Sequence, residues 1–270
     1  MMPIPYVLCV GSLSPHRLVI TGDFRQLGPI ALSQTAAAYR WLHKDAFELA
    51  GISGERTDHP ALQMLQVQRR MHNGISDLIN KVFYGGKLKS ETAPKNSTNL
   101  GPLSGEPAVF VMLLPEDGSR VEKTSSASRL NRVSAQLVAS LACRLLHEDS
   151  DAIVGIIAPY RAQVTLIRRL LSEQGLAKDQ ARRIRLGTVH AFQGSEADVV
   201  IWDLVETRDH KIGRLYHKDA GDRLSNVAIS RAQGKLIFVG DPEAFFYSPG
   251  QESVGRLRGI LTPSSSRGNS

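Results

Sequence analysis

The sequence predicts an α/β protein, a parallel sheet doubly wound with helices. Three observations predict it. Short runs rich in valine and isoleucine recur, several of them apolar throughout, as strands covered on both faces are. Between many of them lie stretches with apolar residues at helical spacing. Polar loops follow the apolar runs, at the strand ends where such sheets bind ligands.

The first strand is "RLVIT" (17–21), which opens into the loop "GDFRQLGP" (22–29). "LQVQRRMHNGISDLINKVFYGG" (65–86) reads as a helix with Met71, Ile75, Leu78 and Val82 on one face and Arg69 and Arg70 at its start. Residues 85–107 are rich in Gly, Pro, Ser and Asn and read as a long surface loop. "AVFVMLL" (108–114) is the next strand. "RVSAQLVASLACRLLHE" (132–148) is a helix with Val133, Leu137, Leu141 and Leu145 on one face. "AIVGIIA" (152–158) is a strand that stops at Pro159. A helix restarts at 160–175 with Val164, Ile167, Leu170 and Leu171 inward, and Gly175 ends it. "RIRLGTV" (183–189), "DVVIWDLV" (198–205) and "KLIFVG" (235–240) complete the strands. Before the last of these, "RLSNVAISRAQ" gives a short helix capped at Ser225 or Asn226, with Arg231 emerging at its far end. The tail 262–270 reads as disordered.

The 270 residues have room for one large or two small domains, and 42% hydrophobic content supplies a core. Lysine and arginine number 33 against 26 acidic residues, a net charge of +7. A basic surface suits a polyanion such as nucleic acid. Cys9 and Cys143 stand far apart without metal-ligand spacing, which argues against a disulfide framework or a zinc site and fits a reducing cytoplasm. No apolar run approaches the ~18 residues of a membrane span.

Four loops carry the residues suited to chemistry. In "TVHAFQGSEADVVIWD" (188–203), a turn at Gly194, the Gln193 amide, the Ser195 hydroxyl and the Glu196 carboxylate can hold a ribose, a phosphate or a water; the plainer alternative is a turn with capping side chains. In "IIAPYRAQ" (156–163), a helix N-terminus after Pro159 offers an anion site, or is a simple strand-to-helix turn. Arg231 can neutralise developing phosphate charge or sit in a surface ion pair. Of Arg69 and Arg70, one can meet phosphate while the other pairs with a carboxylate.

In order and spacing, "GDFRQLGP", "QRRMH…FYGGKL", "IIAPYRAQ", "TVHAFQGSEADVVI" and "NVAISRAQGKLIFVGD" resemble motifs III, IIIa, IV, V and VI of superfamily 1 helicases, in the 5′-to-3′ branch that includes the nonsense-mediated-decay helicase. The resemblance spans about residues 1–245. It implies two RecA-like domains of the P-loop-NTPase type, with ATP and Mg²⁺ in the cleft between them and single-stranded nucleic acid across their tops. By this resemblance Gln26 senses the γ-phosphate, and Arg70 and Arg231 act as arginine fingers. Gly194 and Glu196 lie at the sugar or γ-phosphate, and Pro159, Tyr160, Thr188 and His190 touch nucleic acid. Two positions depart from the family pattern: Gly28 stands where proline is usual, and Arg69 where an aromatic residue packs on the base.

The phosphate loop G-x-x-x-x-G-K-[ST] is absent, as is the acidic pair that holds Mg²⁺. Asp203 and Asp241 end strands but match downstream motifs. The expected organisation is therefore a remnant of a first RecA-like domain (1–66), an essentially complete second one (67–258) and a disordered tail (259–270). The expected function is the C-terminal motor part of an ATP-dependent helicase, inactive alone. The alternative is a non-catalytic nucleic-acid-binding or regulatory module acting with a partner chain that bears the phosphate loop. Apolar surface on 1–66 leads us to expect self-association.

Overall fold

The computed structural model describes residues 2–13, 16–53, 57–91, 105–113, 117–148 and 151–261, with backbone alone for Phe110 and Met112. Most of the loop expected at 85–107 and the tail 262–270 lie outside the described residues. The chain divides into two compact units, Met1–Leu65 and Gln66–Ser270.

In the first unit three short helices are described: α1 (Ile4–Ser12), α2 (Ala36–Trp41) and α3 (Ala46–Leu49). Side chains cap the last two: the Thr35 hydroxyl accepts from Ala38 N, and Asp45 accepts from Phe47 N and Glu48 N. The strand expected at 17–21 does not form, and Leu18, Val19 and Ile20 are exposed. A strand holds its extended backbone through a ladder with a neighbour, and among the described residues of this unit there is no strand to pair with.

The second unit holds the sheet. Its strands β3 (Ala108–Met112), β6 (Val154–Ala158), β7 (Ile184–Thr188), β8 (Ala197–Asp203) and β9 (Ala232–Gly240) lie in the order β3-β9-β8-β6-β7, all parallel. Two short pairs flank it, β1 (Val67–Gln68) with β2 (Lys89–Ser90), and β4 (Glu122–Lys123) with β5 (Arg129–Leu130). Helices α5 (Arg132–Glu148) and α6 (Arg161–Glu173) cover one face, and α4 (Asn73–Ile79) and α8 (Lys218–Ile229) the other; α7 (Lys178–Arg182) leads into β7. Side-chain alternation places Val199, Ile201, Ile237 and Val239 against α5 and leaves Val200, Trp202, Leu236 and Phe238 for the opposite face.

Several elements differ from the sequence expectation. On α5 the buried residues are Ser134, Ala135, Val138, Ala139, Ala142, Leu145 and Leu146, while Val133, Leu137 and Leu141 flank them. Three alanines let the helix axis lie close to the sheet, and of the expected row only Leu145 is buried with them. The helix expected from 65 starts only at Asn73. Upstream, Gln68 Oε1 accepts from Arg70 N and Met71 N, a side-chain turn that competes with helix. A π-helical turn, Asn80–Tyr84, then shifts the register so that Phe83 and Tyr84 are buried. Ser225 and Asn226 cap nothing: both are buried in the interior of α8. Residues 259–261, placed in the tail by sequence, belong to α10 (Arg258–Leu261), with Ile260 and Leu261 buried; this follows α9 (Ala244–Tyr247).

The segment 189–196 joins β7 to β8 without a helix and crosses β6 on the way. It lies flat because two glycines leave room for it. A Cβ on Gly155 would meet Ala197 Cβ at 3.0 Å and Phe192 Cε1 at 3.1 Å; one on Gly187 would meet Ala191 Cβ at 3.1 Å. Gly155→Val is expected to lift Phe192 off the sheet and cost roughly 1–3 kcal/mol, the usual penalty of overpacking. Urea unfolding measures it, and an unchanged midpoint would show that the crossover yields freely.

Candidate functional site

Because the crossover runs from the carboxyl end of β7 to the amino end of β8, it carries its residues to opposite edges of the sheet. Thr188 stays at the carboxyl edge, in register with Ala158. Glu196 arrives at the amino edge, immediately before β8.

At the amino edge three of the expected residues come together. Arg70 Nε lies 2.9 Å from Glu196 Oε2, with the two side chains 42% and 47% exposed. Arg70 Nη1 also reaches Ser230 O at 3.5 Å. Arg231, immediately before β9, donates to Val227 O at 3.2 Å, Ser195 O at 3.2 Å and Ser230 Oγ at 2.9 Å. The turn bearing Arg70 is tied to the start of β9 through His72 N and Gln233 O, 2.6 Å apart. Ala197 N donates to Arg231 O at 3.0 Å, which ties β8 to β9 where the two motifs meet; the register between the strands then shifts by one residue between Ala197 and Val199. Gly194 lies in the crossover, solvent-exposed, at φ 89°.

Three expectations need correction here. In a doubly wound sheet the carboxyl ends of the strands are the expected place for ligand loops; the arginine cluster stands at the amino ends of β8 and β9. Arg231 was expected to emerge from the helix end; it is 3% exposed, because three acceptors around the C-terminus of α8 hold its guanidinium inward. The pair Arg69 and Arg70 was expected to divide between phosphate and carboxylate. Both meet carboxylates, Arg69 at Glu91 (2.7 Å) and Arg70 at Glu196.

At the carboxyl edge Pro159 and Tyr160 are buried. The Tyr160 hydroxyl donates to Glu206, so its polar atom faces inward. Burial first, then the Glu206 charge, keep that hydroxyl protonated far above its ordinary range. What this corner presents outward is Arg161, exposed in the first turn of α6, and the exposed His190. Partial burial, and then the Arg161 charge, lower the imidazole pKa of His190.

Behind that corner is a buried polar network that the sequence did not disclose. Asp203 Oδ2 accepts from Gln163 Nε2 at 2.5 Å and Ser134 Oγ at 3.1 Å, and Asp203 Oδ1 accepts from Val205 N at 3.0 Å. Asn131 caps α5 by accepting from Ser134 N at 3.2 Å, and donates to Ser119 Oγ and Val205 O. Arg129 Nη1 lies 2.5 Å from Glu206 Oε2 and donates to Lys211 O at 2.8 Å. The sequence signal was weak: Asp203 and Glu206 ended or followed an apolar run, but nothing marked Arg129, Asn131 or Gln163 as their partners.

Gln26 belongs to the first unit, in a turn closed by Asp23. Gln26 N donates to Asp23 O at 2.9 Å, and Arg25 N to Asp23 Oδ1 at 3.0 Å. Leu27 is buried, and the Arg25 guanidinium lies 4.7 Å from the Phe24 ring centroid.

A five-stranded parallel sheet flanked by helices, with arginines gathered at the strand ends beside a crossover, is a RecA-like α/β domain. A family model described as an AAA domain matches residues 51–243, and the chain belongs to that family, as a superfamily 1 domain of the nonsense-mediated-decay helicase type. It is 32% identical over 244 residues to regulator of nonsense transcripts 1 of Caenorhabditis elegans, covering 88% of this chain and 22% of the relative. It is 30% identical over 254 residues to the Arabidopsis thaliana homolog of that protein, covering 91% and 19%. An uncharacterized ATP-dependent helicase of Methanocaldococcus jannaschii is 29% identical over 237 residues, covering 84% and 32%. The chain thus spans between about a fifth and a third of the length of these relatives. Among the described residues no helix is long and apolar enough to cross a membrane.

Proposed function

We propose that this chain is the C-terminal motor part of an ATP-dependent nucleic-acid helicase. The observation that carries the reading is the cluster of Arg70, Glu196, Ser195 and Arg231 at the amino ends of β8 and β9. Two guanidinium groups beside one half-exposed carboxylate suit a triphosphate: an incoming phosphate displaces Glu196 from Arg70 and takes its place in a charge-assisted pair. Arg70 and Arg231 are the fingers, Gly194 and Glu196 flank the nucleotide, and Gln26 is the γ-phosphate sensor. Transfer of a phosphoryl group is mostly positioning and charge neutralisation, so a guanidinium in this role is worth ~10³–10⁵ in rate.

The half-exposed Arg70 guanidinium fits a phosphate of ATP as it stands, and Arg231 joins it by turning from the three acceptors that hold it inward. The residues present do not fit Mg²⁺, because among the described residues no group of three or more His, Cys, Asp or Glu side chains is placed to hold a metal. The sequence carries no phosphate loop, so in this reading Mg²⁺ and the phosphate cradle come from an N-terminal helicase half or a partner chain, and no ATP turnover is expected from the chain alone. Single-stranded nucleic acid runs along the carboxyl edge, where Arg161, Thr188 and His190 meet backbone phosphates around Pro159 and Tyr160.

Two measurements test the reading. Fluorescence anisotropy with a labelled single-stranded RNA or DNA should give binding that weakens steeply with salt, as counterion release requires. Phosphate release from ATP with the same strand should stay at the level of the Arg231→Ala variant. Turnover well above that variant would overturn the assignment of inactivity, and binding without salt dependence would overturn the strand edge. Arg70→Gln and Glu196→Gln should each leave stability within about 1 kcal/mol, as expected of an exposed ion pair.

A further inference from the structure

Strand β7 is the last strand on its side of the sheet, and no strand pairs with its outer edge among the described residues. Its inner edge is fixed by the ladder to β6, where Val154 N donates to Arg183 O at 2.9 Å. Along a parallel strand the backbone groups of alternate residues point to alternate sides. Arg183, Arg185 and Gly187 therefore address β6, while Ile184, Leu186 and Thr188 turn their N–H and C=O groups to the open edge. The register with β6 is unbroken over the whole strand. Natural edges are blunted by bulges, prolines or inward charges; the outward-turned residues of β7 include none of these.

Beside this edge lies a groove of about 390 Å³ between α6 and α7, lined by Arg168, Leu171, Leu176, Ala181, Ile184 and Leu186. Its floor is apolar and its rim is basic. Arg168 lines it and is exposed, and Lys178 and Arg182 are exposed on α7, the helix whose Ala181 lines it. Of the nearby acids, Glu173 is already held by Arg169 at 2.8 Å, which leaves Asp179 against three cations. A second copy of the same strand would bring like charge to this rim, so charge selects an acidic occupant.

We propose that the open edge of β7 and the adjoining groove dock an extended, acidic segment of a partner protein by strand addition. Its backbone pairs with Ile184 and Leu186, alternate apolar side chains enter the groove, and its carboxylates meet Arg168, Lys178 and Arg182. This surface is separate from the arginine cluster and does not depend on the helicase reading.

The test uses the full chain, isotope-labelled, titrated with a ten-residue synthetic peptide alternating glutamate with valine or leucine. The expected result is amide shifts and slowed hydrogen exchange at Ile184, Leu186 and Thr188. Binding should weaken at least fivefold in Arg168→Glu, a change at an exposed position that leaves the fold intact, and should be lost in Ala181→Trp, which fills the groove. The proposal is overturned if the shifts fall elsewhere, or if a lysine counterpart of the peptide binds equally. It is also overturned if single-stranded RNA produces the β7 shifts and the acidic peptide does not, since the edge is then a nucleic-acid surface.

Discussion

Replacing Arg129 with alanine is expected to destabilise the Gln66–Ser270 unit by about 3–5 kcal/mol, the range for stripping one partner from a buried ion pair. The Glu206 side chain is fully buried and that of Arg129 is 13% exposed. Glu206 also accepts from the Tyr160 hydroxyl, and Arg129 holds Lys211 O. The Arg129 guanidinium lies 5.9 Å from the Tyr160 ring centroid. One cation thus fastens the end of β8 and the loop after it to the start of α6. Burial pushes the Glu206 carboxyl above its ordinary range, and Tyr160 and Arg129 pull it back. Without Arg129 the carboxyl rises further and folds with a proton. The destabilisation should therefore be larger at pH 8 than at pH 5. Chemical denaturation at the two pH values measures this, with Glu206→Gln as the comparison: it keeps an acceptor for Tyr160, buries no charge and should cost less. Equal losses for Arg129→Ala at both pH values would show that its role is packing, not charge.

The same region shows why the sequence disclosed some features and hid others. Strands β6 and β8 were legible because burial on both faces demands apolar residues at every position, and that pattern needs no partner to be read. "RLVIT" has the same pattern and forms no strand, because a ladder is a property of two segments and composition reports one. Helix α5 was legible in its limits from apolar residues at helical spacing, but not in its face: alanine buries little area and carries little weight in a periodicity argument, yet Ala135 and Ala142 are fully buried. The "QRRM" segment looked helical because the Gln68 side chain, which diverts the backbone, is invisible to spacing. The arginine cluster was reached by motif order alone. That Arg70, Glu196 and Arg231 stand together, and that Thr188 stands at the other edge, depends on a crossover whose path is set by Phe192 lying over Gly155 and Gly187. The polar network was out of reach, since Asn131, Gln163 and Asp203 are linked only through tertiary contacts.

Asp203 should give the unit a pH-dependent stability that disappears in Asp203→Asn. The carboxyl is fully buried, and burial raises its pKa from 3.8 to about 7, against three hydrogen bonds from Gln163, Ser134 and Val205 that act to lower it. Ser134 makes the protonated form tolerable. Its hydroxyl is 3.2 Å from Asn131 O and 3.1 Å from Asp203 Oδ2. When Asp203 takes a proton, that hydroxyl turns to Asn131 O and accepts from the acid. Because the folded pKa lies above the unfolded one, the folded state binds more protons between pH 3.8 and about 7. Stability therefore falls as pH rises through that window and is level on either side of it. At about 1.36 kcal/mol per unit the full span is of order 4 kcal/mol. Burial also raises Glu206 and Asp222, which add slopes of the same sign. The decisive quantity is therefore the difference between the parent and Asp203→Asn curves of unfolding free energy against pH. The variant loses an acceptor for the Gln163 amide, a cost of about 1–3 kcal/mol at every pH, which shifts its curve without tilting it. Curves that run parallel from pH 4 to pH 8 would mean that Asp203 keeps its charge in the folded state and that its three donors outweigh burial.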